Sequence, residues 1–154
     1  MIQILINLFK RSRRFLFWIW SQDGTSAERA RGIGIGVFCG CFPFFGLQTG
    51  LSVILASLFK SNRLLAVVGT WISNPFTYIP LYWFNYKIGS IFLQNANYWT
   101  DFRGFTLQDI WEQGWVLSST LLLGSTVVGI TFGLLIGFIM YVLLKDFPIG
   151  KRLH

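Results

Sequence analysis

The sequence predicts an all-α polytopic membrane protein, with a broken, re-entrant helical hairpin, two spanning segments and an N-terminal interfacial amphipathic helix. Three observations carry that expectation. Only 12% of the 154 residues are charged while 53% are hydrophobic, against about 25% charged in soluble domains. The deficit sits in three runs without Asp, Glu, Lys, Arg or His: Gly32–Phe59, Leu64–Tyr86 and Gln113–Leu144. Each reaches or exceeds the ~20 apolar residues that cross a bilayer as helix. The first two runs are also interrupted, by Pro43 and Gly46 and by Asn74-Pro75 followed by Pro80. Proline lacks the amide hydrogen and clashes with the carbonyl four residues back. Backbone opened in this way is tolerated at membrane depth only inside protein or beside water.

The net charge of +7 raises nucleic acid as a partner. The placement of the charges argues against it, because the basic residues flank the apolar runs and form no separate stripe. Lys10, Arg11, Arg13, Arg14, Arg29 and Arg31 all precede the first run, as the positive-inside rule and attraction to anionic headgroups produce.

Residues 1–20 do not read as a signal peptide, since their charges follow the first apolar stretch. Gln3, Asn7, Lys10, Arg11 and Arg14 share one helical face opposite Ile2, Leu5, Ile6 and Phe9. That pattern fits a helix lying in the interface, with Lys10, Arg11, Arg13 and Arg14 on lipid headgroups. Residues 1–24 thus form a basic interfacial helix and turn, 25–145 the membrane domain and 146–154 a basic tail. Asp23-Gly24 marks the turn, and Thr25 with Glu28 has capping-box spacing that starts a helix near Ser26.

Inside the membrane domain Gly32, Gly36 and Gly40 recur every four residues, and Ser125, Gly129, Gly133 and Gly137 repeat the device in the last run. Small residues at this spacing let another helix backbone approach closely, so both stripes are expected to pack helices within or between chains. Lys60–Arg63 is a short polar connection. Residues 87–112 hold Asp101, Asp109 and Glu112 among Tyr98, Trp99 and Trp111, the composition of a membrane–water boundary.

The segment ERARGIGIGVFCGCFPFFGLQT, then Asn62, then GTWISNPFTYIPLYW resembles the bacterial membrane family called domain of unknown function 2062, over about residues 25–145. Its most specific parts are PFFGLQT at 43–49 and WISNPFT at 71–77. The resemblance implies a bacterial membrane protein and no established activity or ligand. Some members are joined to glycosyltransferase domains, which implies an envelope-biosynthesis enzyme as a possible partner.

The chemistry available is narrow. Proton-coupled carriers and intramembrane hydrolases keep ionisable groups within their spans, and these runs have none. Serine hydroxyls such as Ser52, Ser57 and Ser118 have no base in sight. Cys39 and Cys41, two apart on a helix, point to different sides. With His154 the sole histidine, no metal site, cofactor or enzymatic activity is expected.

Two function classes stay open. One is an oligomeric conduit or binding site for a small solute or lipid, built where two Pro-broken helices meet. Gln48, Thr49, Ser73, Asn74 and Thr77 would line it, and the segments 43–49 and 73–77 are expected to face each other. The other is a membrane scaffold for envelope enzymes, built on the glycine stripes. A fixed bend with satisfied polar atoms is the purely structural alternative for both breaks. Charge bias favours a topology in which Gly32–Phe59 dips in and returns while the other runs cross. Both termini then face the cytoplasm, leaving only Lys87 and Arg103 on the far side.

Overall fold

A computed structural model describes residues 18–19, 21–44, 46–93 and 107–146. Among the described residues α-helices follow one another as α1 Ser26–Gly40, α2 Leu47–Leu58, α3 Arg63–Gly69, α4 Tyr78–Leu93 and α5 Leu107–Asp146. A single 3₁₀ turn, Thr70–Ile72, extends α3. No strand occurs among the described residues. The Lys10–Arg14 cluster, Tyr98, Trp99, Asp101, Arg103 and the tail from 147 lie outside them.

Local chemistry sets the helix ends. Thr25 and Glu28 form the expected capping box: the Glu28 carboxylate accepts from the Thr25 amide at 2.7 Å, and Thr25 Oγ1 accepts from the Glu28 amide at 3.2 Å. α1 stops at the Cys41–Phe44 turn that carries Pro43. Gly46 follows with φ of 83°, a left-handed conformation that favours glycine, and the chain reverses there into α2. Asn62 then ties three segments together. Its Oδ1 caps α3 through the Leu65 amide at 2.9 Å, its Nδ2 donates to Asp23 O at 2.8 Å, and its amide donates to Glu28 O at 3.1 Å. The hairpin α1–α2 therefore starts and ends at one level. Pro80, read from sequence as a further interruption, instead sits in the first turn of α4. The first amides of a helix have no intrahelical acceptor, so proline is tolerated there.

The scaffold is α5. Its segment Gly114–Lys145, 32 residues, is the one described helix long and apolar enough to cross a bilayer. Its most apolar window is only 17% buried, unlike the core helix of a soluble domain. α1 runs antiparallel to its C-terminal half: Ser26 Oγ donates to Leu144 O at 3.1 Å, while Gly34 meets Gly133 and Phe38 meets Gly129. α4 runs antiparallel to its N-terminal half, with Asn85 beside Gly124 and Gly89 beside Thr120. α1 and α4 thus lie end to end along one partner. From Leu144 to Thr120 this composite covers about 36 Å of α5 at the helical rise of 1.5 Å per residue. α3 lies parallel to α1 on its other side, Asn62 against Gly32 and Thr70 against Gly40.

Many large apolar side chains face outward, around a small buried cluster that includes Ile33, Val37 and Leu65. Phe76 is 91% exposed and Ile79 82%, with Leu47, Leu58, Leu134 and Phe138 also exposed. Gln48, Ser52, Thr70, Ser73, Asn85, Thr120 and Ser125 are buried among Cys39, Cys41 and Ala66. Water would favour the opposite distribution.

Candidate functional site

The segments 43–49 and 73–77 meet. Ser73 Oγ donates to Gln48 Oε1 at 3.1 Å, with both residues buried. The remaining polar groups of the second break serve its own backbone. Asn74 Oδ1 accepts from the amides of Phe76 and Thr77 at 2.9 and 3.1 Å. Thr77 Oγ1 accepts from the Asn74 amide at 2.9 Å and donates to Ile72 O at 2.6 Å. These bonds cover donors and acceptors that Pro75 frees from the helical ladder. Gln48 and Asn74 do not bond one another, and Thr49 lends its carbonyl to Ser52 Oγ at 2.7 Å.

A residue passed over in the sequence closes the other side of the junction. Asn85 is fully buried and sits where the end of α1 meets α4 and α5. Its Nδ2 donates to Cys41 O at 2.8 Å and to Ser125 Oγ at 3.0 Å. Its Oδ1 is buried with no partner among the described residues. Tyr82 Oη adds a bond to Phe42 O at 3.3 Å. Asn85 lies five residues beyond Pro80, next to no helix break, so nothing in its local sequence marks it.

The two glycine stripes serve different helix pairs. Gly32, Gly36 and Gly40 press on α3, where a Cβ at Gly36 would strike Ala66 O and come within 2.7 Å of Gly69 Cα. Gly129 and Gly133 receive α1, the latter's Cβ falling 2.8 Å from Gly34 O. Gly137 is looser, with 3.5 Å to Gly34 Cα, and Ser125 contributes its hydroxyl to Asn85. The tightest crossing was not among the stripes. At α4–α5 a Cβ on Gly89 would overlap Thr120 O and one on Gly124 would overlap Asn85 O. The pairs Asn85/Gly89 and Thr120/Gly124 have the same four-residue spacing of polar or small residues, which was the available signal.

Away from the junction, a groove of about 600 Å³ runs between α1, α2 and α5. Gly34, Phe38, Leu55, Gly133, Leu134 and Phe138 form much of its wall, and Arg31 and Tyr141 also line it. Arg31 Nη2 donates to Lys60 O at 3.4 Å. The nearby Glu28 carboxyl is held below the usual carboxylate range, chiefly by its bond from the Thr25 amide and to a lesser extent by Arg31. The same end of the molecule carries Lys60, Arg63 and Lys145, because Asn62 bonds Glu28 and Ser26 bonds Leu144. No cluster of His, Cys, Asp or Glu able to hold a metal occurs among the described residues.

Among the described residues the fold is all-helical, and one helix is long and apolar enough to cross a bilayer. The chain belongs to the family described as "Uncharacterized protein conserved in bacteria (DUF2062)", which matches residues 9–151. No curated protein and no solved structure matches it.

Proposed function

We propose that this chain is a multi-pass protein of the bacterial cytoplasmic membrane that binds a membrane lipid in the groove beside its hairpin, without catalysing a reaction. In this reading α5 crosses once, and α3, the break and α4 cross in the opposite direction. The α1–α2 hairpin enters from the basic end and turns back at mid-depth, with both termini cytoplasmic. The support is the placement of charge: Arg29, Arg31, Lys60, Arg63 and Lys145 share one end, while Lys87 stacks on Trp83 at 4.2 Å toward the other.

The observation that carries lipid binding is the groove itself. It is almost wholly apolar, and Ile130, Leu134 and Phe138 on its α5 edge are exposed on the surface this reading places in hydrocarbon. An occupant of such a cleft is apolar and laterally mobile, which describes an acyl chain. The hydroxyls of Ser52, Ser57 and Ser119 donate to carbonyls of their own helices at 2.7 to 3.0 Å. That engagement favours binding over nucleophilic chemistry.

The test is lipid retention. Wild-type protein purified from native membranes should carry about one tightly held lipid per chain in native mass spectrometry. Leu55→Trp, which fills the groove, should remove it while leaving the melting temperature within a few degrees. Equal lipid retention in a folded Leu55→Trp protein would reject the groove as the site.

A further inference from the structure

We propose that the groove selects an anionic, phosphate-bearing lipid, with the phosphate at Arg31 and one acyl chain lying along Gly34, Phe38, Leu134 and Phe138. This inference rests on the lipid-binding reading and adds the identity of the headgroup. Three observations carry it.

The first is length. Along α5 the groove extends from Tyr141 to Gly129, about 18 Å at the helical rise. One leaflet of a ~30 Å hydrocarbon core is about 15 Å deep. A chain that starts at the basic end and lies in the groove therefore ends near the bilayer midplane. That is the level of the hairpin tip, where Phe38 and Phe42 meet edge to face at 5.2 Å. The groove accommodates one chain within one leaflet and does not reach the opposite surface.

The second is the cation at its mouth. Arg31 is exposed and lines the groove, and its hydrogen bond to Lys60 O is long at 3.4 Å. The planar five-donor fork therefore has hydrogens available to a phosphate, which it binds through paired charge-assisted bonds. A zwitterionic headgroup carries its own cation and gains less from this contact. Glu28, three residues before it, accepts from the Thr25 amide at 2.7 Å and so already has a donor.

The third is the position of Arg31 relative to the other cations. Arg63 opens α3, which packs on the opposite side of α1 from α5. Arg31 belongs to the groove wall and Arg63 does not. A site-specific contact and a general attraction of the basic end for anionic lipid can therefore be separated by mutation.

The experiment uses the full chain in detergent, titrated with phosphatidylglycerol or phosphatidylcholine and followed by native mass spectrometry. Wild type should bind phosphatidylglycerol about tenfold more tightly than phosphatidylcholine, the scale of one charge-assisted contact. Arg31→Gln should abolish that preference while still binding both lipids. Arg63→Gln should keep it. Equal losses in Arg31→Gln and Arg63→Gln would overturn the proposal in favour of a diffuse surface field. Binding of both lipids without preference in wild type would overturn it too, yet leave the lipid-binding reading standing. If wild type retains neither lipid, and Leu134→Cys copies form a disulfide in membranes, a second copy fills the groove and both readings fall.

Discussion

Replacing Gly124 or Gly89 with alanine is expected to destabilise the protein by more than the about 1–3 kcal/mol of ordinary overpacking, because the added carbon meets backbone and not a side chain that can rotate away. At Gly124 the obstacle is the carbonyl of Asn85, and at Gly89 the carbonyl of Thr120. Neither helix can yield alone, since α4 also holds the end of α1 through Asn85 and Cys41 O. Gly36→Ala should behave similarly, striking Ala66 O on α3. Gly50→Ala and Gly114→Ala supply the contrast. A Cβ at either position meets nothing within 4 Å, so these changes should be neutral or stabilise by about 0.5–1 kcal/mol through better helix propensity. Detergent-resistant folding, read as a thermal midpoint, measures both sets. Equal midpoints across the five variants would show that the close crossings contribute nothing to stability.

Asn85→Leu is the second substitution with a large expected effect. It strands the Cys41 carbonyl at the end of α1 and removes the donor from Ser125, both fully buried residues. Interhelical hydrogen bonds in membranes average about 0.6 kcal/mol and reach about 1.7, so losing two should cost about 1–3 kcal/mol. Asn85→Asp should be at least as damaging, because a carboxylate in the same position cannot donate to Cys41 O and carries a buried charge. Gln48→Leu should cost less, since it breaks the single bond from Ser73 Oγ. If instead Asn85→Leu raises the midpoint, the unpartnered Asn85 Oδ1 outweighs the two bonds its amide nitrogen makes.

The parts of this fold that were legible in the sequence are those governed by local rules. Thr25 and Glu28 announce the start of α1 by spacing alone, and Pro43 with Gly46 marks the reversal, because cap and turn chemistry act within a few residues. The facing of segments 43–49 and 73–77 followed from a cost argument: a carboxamide in an apolar run needs a partner, and Gln48 finds Ser73. What the sequence hid was partner choice. The stripe Gly32–Gly40 and the stripe Gly129–Gly137 look like mutual complements, yet the first receives α3 and the second receives the opposite face of α1. Which stripes pair depends on the path of the chain through space, and a four-residue period does not encode it. Pro80 misled for a related reason: the sequence marks a proline but not its distance from a helix start. The groove is not legible in the sequence because its wall is assembled from three helices and includes Arg31, which along the chain is one of several charges flanking an apolar run.

The central claim is a hairpin that stops at mid-membrane, with α4 continuing the path of α1 along α5. Single cysteines at Ser61, Phe44 and Ser90, labelled in intact cells and inverted vesicles with a membrane-impermeant maleimide, test it most directly. The native Cys39 and Cys41 are buried and give a low background. The expected result is labelling of Ser61→Cys from the cytoplasmic side only, of Ser90→Cys from the opposite side only, and of Phe44→Cys from neither. Labelling of Phe44→Cys from the same side as Ser90→Cys would mean that the hairpin crosses the bilayer. Labelling of Ser61→Cys and Ser90→Cys from one side would mean that the broken segment between them does not cross, and either result would contradict the account.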